Sequence, residues 1–212
     1  MAGIQEVYEL VVKGKAKKVA PAVEAALEEG CEPVAILNEG MIAAMDEVGV
    51  KFKNGEIFVP EMLVAAKAMK NGVAVLKPYL SSGESGAAGK VIIGTVAGDL
   101  HDIGKNLVAM MLESSGFEVI DLGVDVAKEK FVEAFEENPD TKIICCSALL
   151  TTTMPALRDT VALLNTLPER SRIKVMVGGA PINAKFAEEI GADAYTEDAA
   201  SCAQKAKELT AA

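Results

Sequence analysis

The residues around position 101 are suited to binding a metal ion. His101 is the only histidine among the 212 residues, and Asp99 stands two residues before it. Imidazole is a common metal ligand, and a carboxylate that accepts the proton of its other ring nitrogen fixes the tautomer that binds the metal. A lone histidine is also often a hydrogen-bonded loop or core residue, so this segment alone leaves both interpretations open.

Two further segments have residue types that occur in ligand sites. Residues 147–153 include Ser147 and three consecutive threonines, and Gly178 is followed by Gly179. Hydroxyl groups hydrogen-bond polar ligands, and glycines allow a ligand to approach the backbone closely. Each segment also has an ordinary explanation, because Ser and Thr often cap helices and glycine pairs end many strands.

All three segments follow predicted β-strands. From residue 90 onward, β-branched apolar runs alternate with helical periodicity, and strands are predicted at 91–96, 118–122, 143–149, 174–177 and 192–196. Five βα units predict an α/β fold with a Rossmann-like or flavodoxin-like five-stranded parallel sheet and helices on both faces. The common strand order 2-1-3-4-5 makes strands 1, 3 and 4 neighbours, so we expect a ligand crevice at their carboxyl ends.

The N-terminal region of the chain is predicted to be helical. Apolar residues at three- and four-residue spacing predict four helices, at 5–12, 16–29, 33–48 and 60–80. Met41 and Met45 are interpreted as bundle core rather than as ligand contacts. The small polar residues of 81–89 are typical of a flexible linker. We therefore expect a helical domain with its linker at residues 1–89 and an α/β domain at residues 90–212.

Composition narrows the function classes. The net charge of −10 argues against binding to nucleic acid or to an anionic membrane surface. No apolar run approaches the roughly 18 residues of a membrane span, and the first residues lack a signal-peptide pattern, so a cytoplasmic location is expected. The four cysteines have no Cys-x-x-Cys spacing, and we expect no zinc site built from this chain's own side chains.

The spacing of the three segments resembles the signature of the cobalamin-binding domain found in methionine synthase, some cobalamin-dependent mutases and the corrinoid proteins of one-carbon methyltransferase systems. Asp99-x-His101-x-x-Gly104 is followed after 42 residues by Ser147-x-Leu149 and after 28 more by Gly178-Gly179. Residues 48–61 and 65–69 resemble the helical cap that accompanies this domain in the methyl-transferring branch. The resemblance covers nearly the whole chain and is strongest to the short, stand-alone corrinoid carrier proteins.

This resemblance implies cobalamin as the cofactor, as methylcobalamin or a related corrinoid. In the family a histidine replaces the cofactor's dimethylbenzimidazole below cobalt (base-off/His-on), which assigns metal ligation to His101 and the hydrogen bond to its Nδ1 to Asp99. Ser147 and Thr153 would be hydroxyls of the nucleotide-tail site and the proton relay, although the family often has serine where this chain has Thr153. The cofactor-contacting residues that the resemblance implies in the α/β domain are Gly98, Asp99, Leu100, His101, Asp102, Ile103, Gly104, Ser147, Leu149, Thr151, Thr153, Gly178 and Gly179.

From the cap, Phe52 and Val59 match the positions that shield the upper face of the cobalt. Val59 is smaller than the leucine common there in methionine synthase, which would leave more room for an incoming methyl donor.

The function implied by the resemblance is that of a methyl carrier. A donor-specific methyltransferase would place a methyl group on cobalt, and an acceptor-side methyltransferase would pass it to an acceptor such as tetrahydrofolate, as in O-demethylase or methylamine methyltransferase systems. The chain would be non-catalytic alone and would act as the corrinoid subunit, with a reductive activator as a further partner. The donor stays open among methoxylated aromatics, methylamines, quaternary amines and methanol.

Three alternatives compete with the carrier. The small subunit of a cobalamin-dependent mutase would use adenosylcobalamin, but such subunits generally lack the cap that bears Phe52. A cobalamin-sensing regulator would need a basic helix-turn-helix, which this acidic chain does not show. A flavodoxin-like or phospho-receiver domain would bind no cobalt at all.

Overall fold

The computed structural model describes residues 2–80 and 88–211. The chain divides into two compact units, Met1–Ala87 with Ser114–Gly116 and Ala88–Glu113 with Phe117–Ala212. Most of the predicted linker, residues 81–87, lies outside the described residues. The predicted boundary between a domain at 1–89 and one at 90–212 stays a prediction.

The first unit is built from helices. They are α1 (Ala2–Val12), α2 (Ala16–Glu28), α3 (Pro33–Ala35), a π-helical segment (Ile36–Ile42), α4 (Ala43–Lys53), α5 (Val59–Leu76) and a short 3₁₀ turn (Lys77–Tyr79). The predicted helix at 33–48 is therefore too short, because the chain stays helical through Lys53. It ends before Gly55, whose φ of +73° is the left-handed conformation typical of a residue just past a helix.

The two methionines of this unit belong to its core, as predicted. Met41 and Met45 are both buried. A Cβ atom added to Gly72 of α5 would lie 2.5 Å from Met41 Sδ, so the glycine makes room for this side chain. The thioether therefore fills a gap between helices, which is the usual role of a buried methionine.

The second unit contains the predicted parallel sheet. Its strands are β1 (Gly89–Thr95), β2 (Phe117–Asp121), β3 (Thr141–Ser147), β4 (Lys174–Gly178) and β5 (Ala194–Tyr195). The strand order β2-β1-β3-β4-β5 confirms the prediction, and all pairs are parallel. The helices are α6 (Ile103–Ser114), α7 (Lys128–Glu137), α8 (Met154–Leu164), α9 (Ala184–Ile190) and α10 (Ala199–Thr210).

Strand β5 is shorter than the predicted 192–196. The Asp193 carboxylate accepts the Val175 N–H at 2.6 Å, and the Asp193 N–H donates to the Val175 carbonyl. Arg170 holds the same carboxylate at 2.7 Å. Because a side chain takes the backbone donor of Val175, the regular ladder with β4 begins only at Ala194.

The sheet core is apolar on both faces. On one face the register partners Ile92, Ile144 and Val175 of the three central strands are fully buried. On the other face Ile93, Cys145 and Met176 are buried, as expected for strands covered by helices on both sides. Cys145, Cys146 and Cys202 are buried as free thiols, and burial raises the pKa of Cys146 well above its ordinary value. In the described parts of the chain, no helix has the length and apolar character needed to cross a membrane.

Candidate functional site

The three segments singled out in the sequence meet at one edge of the sheet. Thr95 at the end of β1 pairs with Ser147 at the end of β3, and Ser147 pairs with Gly178 at the end of β4. Parallel strands end on the same side, so the loops that follow them are neighbours. The predicted juxtaposition of the segments 98–104, 147–153 and 178–179 is therefore confirmed.

His101 is held by Asp99 in a defined tautomer. The Nδ1 atom of His101 lies 2.7 Å from Asp99 Oδ1, and the same oxygen accepts the His101 backbone N–H at 3.1 Å. Since a carboxylate can only accept, Nδ1 carries a proton, and in the neutral ring Nε2 therefore keeps its lone pair. The His101 side chain is half exposed, and within the described residues no hydrogen bond reaches Nε2. This nitrogen is available to a metal.

Asp99 is completely buried and fully hydrogen-bonded. Its Oδ2 atom accepts the Leu149 N–H at 2.6 Å and the Thr153 hydroxyl at 2.8 Å. Burial by itself raises the pKa of this carboxyl, but the hydrogen bonds from Leu149, His101 and Thr153 outweigh burial and hold the pKa well below its ordinary value. Asp99 is therefore ionised at neutral pH and acts only as an acceptor.

Thr95 is a site residue that the sequence analysis missed. Its buried hydroxyl donates to the His101 carbonyl at 2.9 Å and lies 2.9 Å from Ser147 Oγ. Because the single hydroxyl proton of Thr95 goes to the carbonyl, Ser147 is the donor of the second bond. The sequence did contain a feature that could have indicated this role, because Thr95 is a polar residue at the end of an otherwise apolar strand, shortly before the histidine segment. Ser147 thus contacts Thr95, whereas Thr153 contacts Asp99.

The glycines at this edge differ in how much space a side chain or a ligand would have beside them. A Cβ atom on Gly179 would lie 1.8 Å from the Ala148 carbonyl oxygen, and its φ is +129°, so packing between β3 and β4 already requires glycine. A Cβ on Gly178 would meet only the Thr196 carbonyl, at 3.8 Å, and one on Gly104 would meet nothing within 4 Å. Gly178 and Gly104 therefore leave space for a ligand.

Large apolar side chains are exposed both beside His101 in the sequence and in the loop that follows β3. Leu100 is 73% exposed and Ile103 is 78% exposed, and Leu149 and Leu150 are each about 40% exposed. Leu150 was not among the predicted residues. Exposed apolar side chains concentrated in two loops of one edge are typical of a surface that a large apolar ligand covers.

The remaining predicted residues of this unit are more peripheral. Asp102 is exposed, and its Oδ2 accepts a hydrogen bond from Asn106 at 3.1 Å. Thr151 is exposed at the start of a 3₁₀ turn, Thr151–Thr153. Gly98 has a φ of +80° and precedes Asp99 in the turn that leaves β1. None of these residues bonds the imidazole.

The predicted residues of the helical unit lie around one turn. Phe52 is partly buried near the end of α4, and Val59, 36% exposed, begins α5. Phe58 stands beside Val59, is 67% exposed, and was missed by the sequence analysis. Its backbone N–H donates to Glu61 at 3.0 Å, which fixes the start of α5.

Comparisons with known proteins show the family of this chain. A B12 binding domain family matches residues 89–203, and a second family of that description matches residues 4–77. The chain is 46% identical over 206 residues to dimethylamine corrinoid protein 3 of Methanosarcina acetivorans, covering 97% of this chain and 96% of that protein. It is 43% identical over 190 residues to trimethylamine corrinoid protein 1 of the same organism, covering 89% and 88%.

A solved structure has the same fold. The crystal structure of the methanol:cobalamin methyltransferase complex MtaBC from Methanosarcina barkeri superposes with a TM-score of 0.86 at 28% identity, covering 99% of this chain and 80% of that one. The parallel sheet, whose carboxyl edge presents a carboxylate-held imidazole, and the B12 binding domain match over residues 89–203 define a cofactor-binding α/β protein. The chain belongs to the B12-binding family, among the corrinoid proteins of methyltransferase systems. These comparisons do not favour the mutase alternative.

The residues present fit cobalamin, the cofactor of this family. An imidazole with its Nδ1 proton fixed offers a neutral nitrogen to the metal, which is the form in which histidine ligates. Gly178 and Gly104 leave space at the same edge, and Leu100 and Ile103 offer apolar surface.

Proposed function

We propose that this chain carries methyl groups that come from a methylamine, with dimethylamine as the first candidate donor. Relatives named for dimethylamine and trimethylamine match nearly the full length of the chain at 43–46% identity. A donor-specific methyltransferase and an acceptor-side methyltransferase are the proposed partners, with a reductive activator as the third, all in the cytoplasm. The names of these relatives carry the proposed donor class, and the Asp99–His101 hydrogen bond carries the proposed ligation of cobalt.

In this proposal His101 would hold the cobalt of base-off cobalamin through its Nε2 atom. When bound, the cofactor supplies a metal that accepts a methyl group and gives it up again. Asp99 holds the Nδ1 proton at Oδ1, and Thr153 donates its own proton to Oδ2. The imidazole, the carboxylate and the hydroxyl thus form one hydrogen-bonded unit, through which a change in ligand strength is coupled to the position of the ring proton.

The other predicted residues shape the site. Gly178 and Ser147 are proposed to accommodate the nucleotide tail at the ends of β4 and β3, where an added Cβ finds room and a hydroxyl is present. In the helical unit, Phe52 and Val59 are proposed to shield the reactive face of the cofactor.

The ligation is tested by replacing His101. The Co(II) form of the cobalamin-loaded protein is expected to show nitrogen coupling from the imidazole in its electron paramagnetic resonance spectrum, and the His101→Ala variant is expected to lose it. A spectrum unchanged by the substitution would reject His101 as the ligand.

The donor is tested by methylation assays with separate methyltransferases. The reduced, cobalamin-loaded chain is mixed with the dimethylamine, trimethylamine, monomethylamine or methanol enzyme and its own methyl donor, and methylation is followed by absorption. We expect the dimethylamine enzyme to be fastest, and at least ~10-fold faster than the methanol enzyme, a factor that corresponds to about 1.4 kcal/mol. Faster methylation by the methanol enzyme would reject the proposed donor class.

A further inference from the structure

The loop that carries Asp99 and His101 is held by a residue outside it. We propose that Asp125 is a positioning residue that keeps this loop in the geometry needed for metal ligation. Its Oδ1 atom accepts the Gly98 N–H at 2.7 Å, and its own N–H donates to the Asp99 carbonyl at 3.0 Å. This inference rests on the proposed function, because it assigns to Asp125 an effect on cobalt ligation by His101.

The backbone of Asp125 supports this role. Its φ is +53°, and it is the only non-glycine residue with a positive φ among residues 2–80 and 88–211. Left-handed backbone is unfavourable for a residue with a side chain, although Asp and Asn tolerate it better than most. Glycine would adopt this conformation at lower cost but would supply no carboxylate. Asp125 therefore adopts the left-handed turn and also supplies a carboxylate that accepts the Gly98 N–H.

The two hydrogen bonds act on the backbone directly beside the buried carboxylate. Gly98 turns the chain with a φ of +80°, and the orientation of Asp99 depends on that turn. The isolated bridge between Val96 and Val126 brings the segment after β2 against the start of the loop. Asp125 then fixes the Gly98 N–H and the Asp99 carbonyl, while Asp99 Oδ1 and Oδ2 bind His101, Leu149 and Thr153.

Asp125 itself is exposed and makes no described contact with the imidazole. Its effect on the metal would therefore be indirect, through the Asp99 backbone. Thr95 of β1 holds the His101 carbonyl, and Asp125, in the segment after β2, holds the Gly98 N–H and the Asp99 carbonyl, so the loop is fixed at three backbone positions.

The experiment compares four variants of the full chain. Asp125→Ala removes the carboxylate, Asp125→Asn keeps an oxygen acceptor, and Asp125→Gly removes the carboxylate while relieving the left-handed backbone. Asp159→Ala, on the exposed face of α8, is the matched control. For each, we measure cobalamin affinity by absorption titration, the nitrogen coupling of the Co(II) form, and amide hydrogen exchange at residues 98–101 of the cofactor-free protein.

The expected result separates positioning from general stability. Asp125→Ala and Asp125→Gly should bind cobalamin about tenfold more weakly, show a smaller fraction of histidine-coordinated Co(II), and exchange the Gly98 amide faster. Asp125→Asn should stay within about twofold of the parent in affinity, and Asp159→Ala should match it. The glycine variant keeps the test decisive if the alanine variant fails to fold, because its backbone is relaxed.

Failure of this inference and failure of the proposed function give different results. If Asp125→Gly keeps the parent's affinity and nitrogen coupling, Asp125 is not a positioning residue and this inference is overturned, while ligation by His101 is decided separately by its own alanine variant. If His101→Ala keeps the nitrogen coupling, the proposed function fails, and faster exchange at residues 98–101 in Asp125→Ala would then report only a structural role.

Discussion

Thr153 Oγ1 donates to Asp99 Oδ2 at 2.8 Å, while the other oxygen of the same carboxylate holds His101. The hydroxyl therefore acts on the imidazole only through Asp99. Because Asp99 is completely buried, each of its hydrogen bonds is formed without competition from solvent, and the loss of any one leaves a charge less well compensated.

Asp99→Asn tests whether the carboxylate fixes the ring proton. An amide of the same shape is a weaker acceptor, and its NH₂ group cannot accept the Nδ1 proton at all. We expect cobalamin affinity to fall by about 10- to 100-fold, measured by absorption titration. Asp102→Asn is the control, since Asp102 is exposed and bonds Asn106 rather than His101. Equal affinities of the two variants would contradict the assigned role of Asp99.

The stability of the cofactor-free chain should depend on Asp99 at acid pH. The hydrogen bonds of the folded state lower the pKa of Asp99 below its ordinary value of 3.8. Its contribution to the free energy of unfolding is therefore fully present above that value and is lost as the pH falls below about 4 toward the folded-state pKa. Urea unfolding of the parent and of Asp99→Asn between pH 2 and 6 measures this. The parent should lose more stability than the variant over the acid end of this range.

Thr153→Val should destabilise the chain more than Thr153→Ser. Valine keeps the shape but removes a hydrogen bond to a buried charge, which costs about 1.5–3 kcal/mol. Serine keeps the hydroxyl and loses only a buried methyl group, at about 1 kcal/mol. Urea denaturation near neutral pH gives both values. A serine variant no more stable than the valine variant would show that the methyl group, not the hydroxyl, matters here.

Thr95→Val and Thr141→Val are a matched pair of buried substitutions on neighbouring strands. Thr95 donates to the His101 carbonyl and accepts from Ser147, so valine should lower the free energy of unfolding by about 1–2 kcal/mol and loosen the histidine loop. Among the described buried side chains, Thr141 Oγ1 lacks a hydrogen-bond partner. Its replacement by valine should be neutral or stabilising by up to about 1 kcal/mol, because it removes an unsatisfied polar atom. Thermal and urea unfolding of both variants check the difference, and equal losses would refute it.

Tyr8 is expected to stabilise the helical unit in a pH-dependent manner. Its hydroxyl donates a hydrogen bond to Glu47, and this bond, together with burial, raises the pKa of Tyr8 to about 12. The bond's contribution to stability is fully present below pH 10, the ordinary pKa, and is lost as the pH rises toward 12. Tyr8→Phe should cost about 1 kcal/mol at pH 7 and less above pH 11. Tyr79→Phe, at an exposed ring, is the control.

Sequence patterns predicted the sheet and its ligand edge because apolar runs and the βα alternation specify topology. The strand order was assumed to be the common one for five βα units, and the meeting of residues 98–104 with 147–153 followed from that order. The hydrogen bond between Asp99 and His101 was predicted from their spacing and the family resemblance, and the structure contains it.

Thr95 and Asp125 were not predicted, because both act on backbone atoms of the histidine loop. Threonine at a strand end and aspartate in a turn are common residues, and nothing in their type shows which carbonyl or N–H they will meet. The π-helical segment Ile36–Ile42 and the short strand β5 likewise depend on particular contacts, such as that of Asp193 with Val175, that periodicity does not reveal.

The two adjacent glycines after β4 are unequal targets for protein engineering. Any side chain at position 179 would collide with the Ala148 carbonyl, so substitution there would push the central strands β3 and β4 apart before it altered ligand choice. Position 178 has room for at least a methyl group. If the nucleotide tail lies beside Gly178 as proposed, a library intended to select for corrinoids with different lower bases should vary residue 178 and keep residue 179 constant.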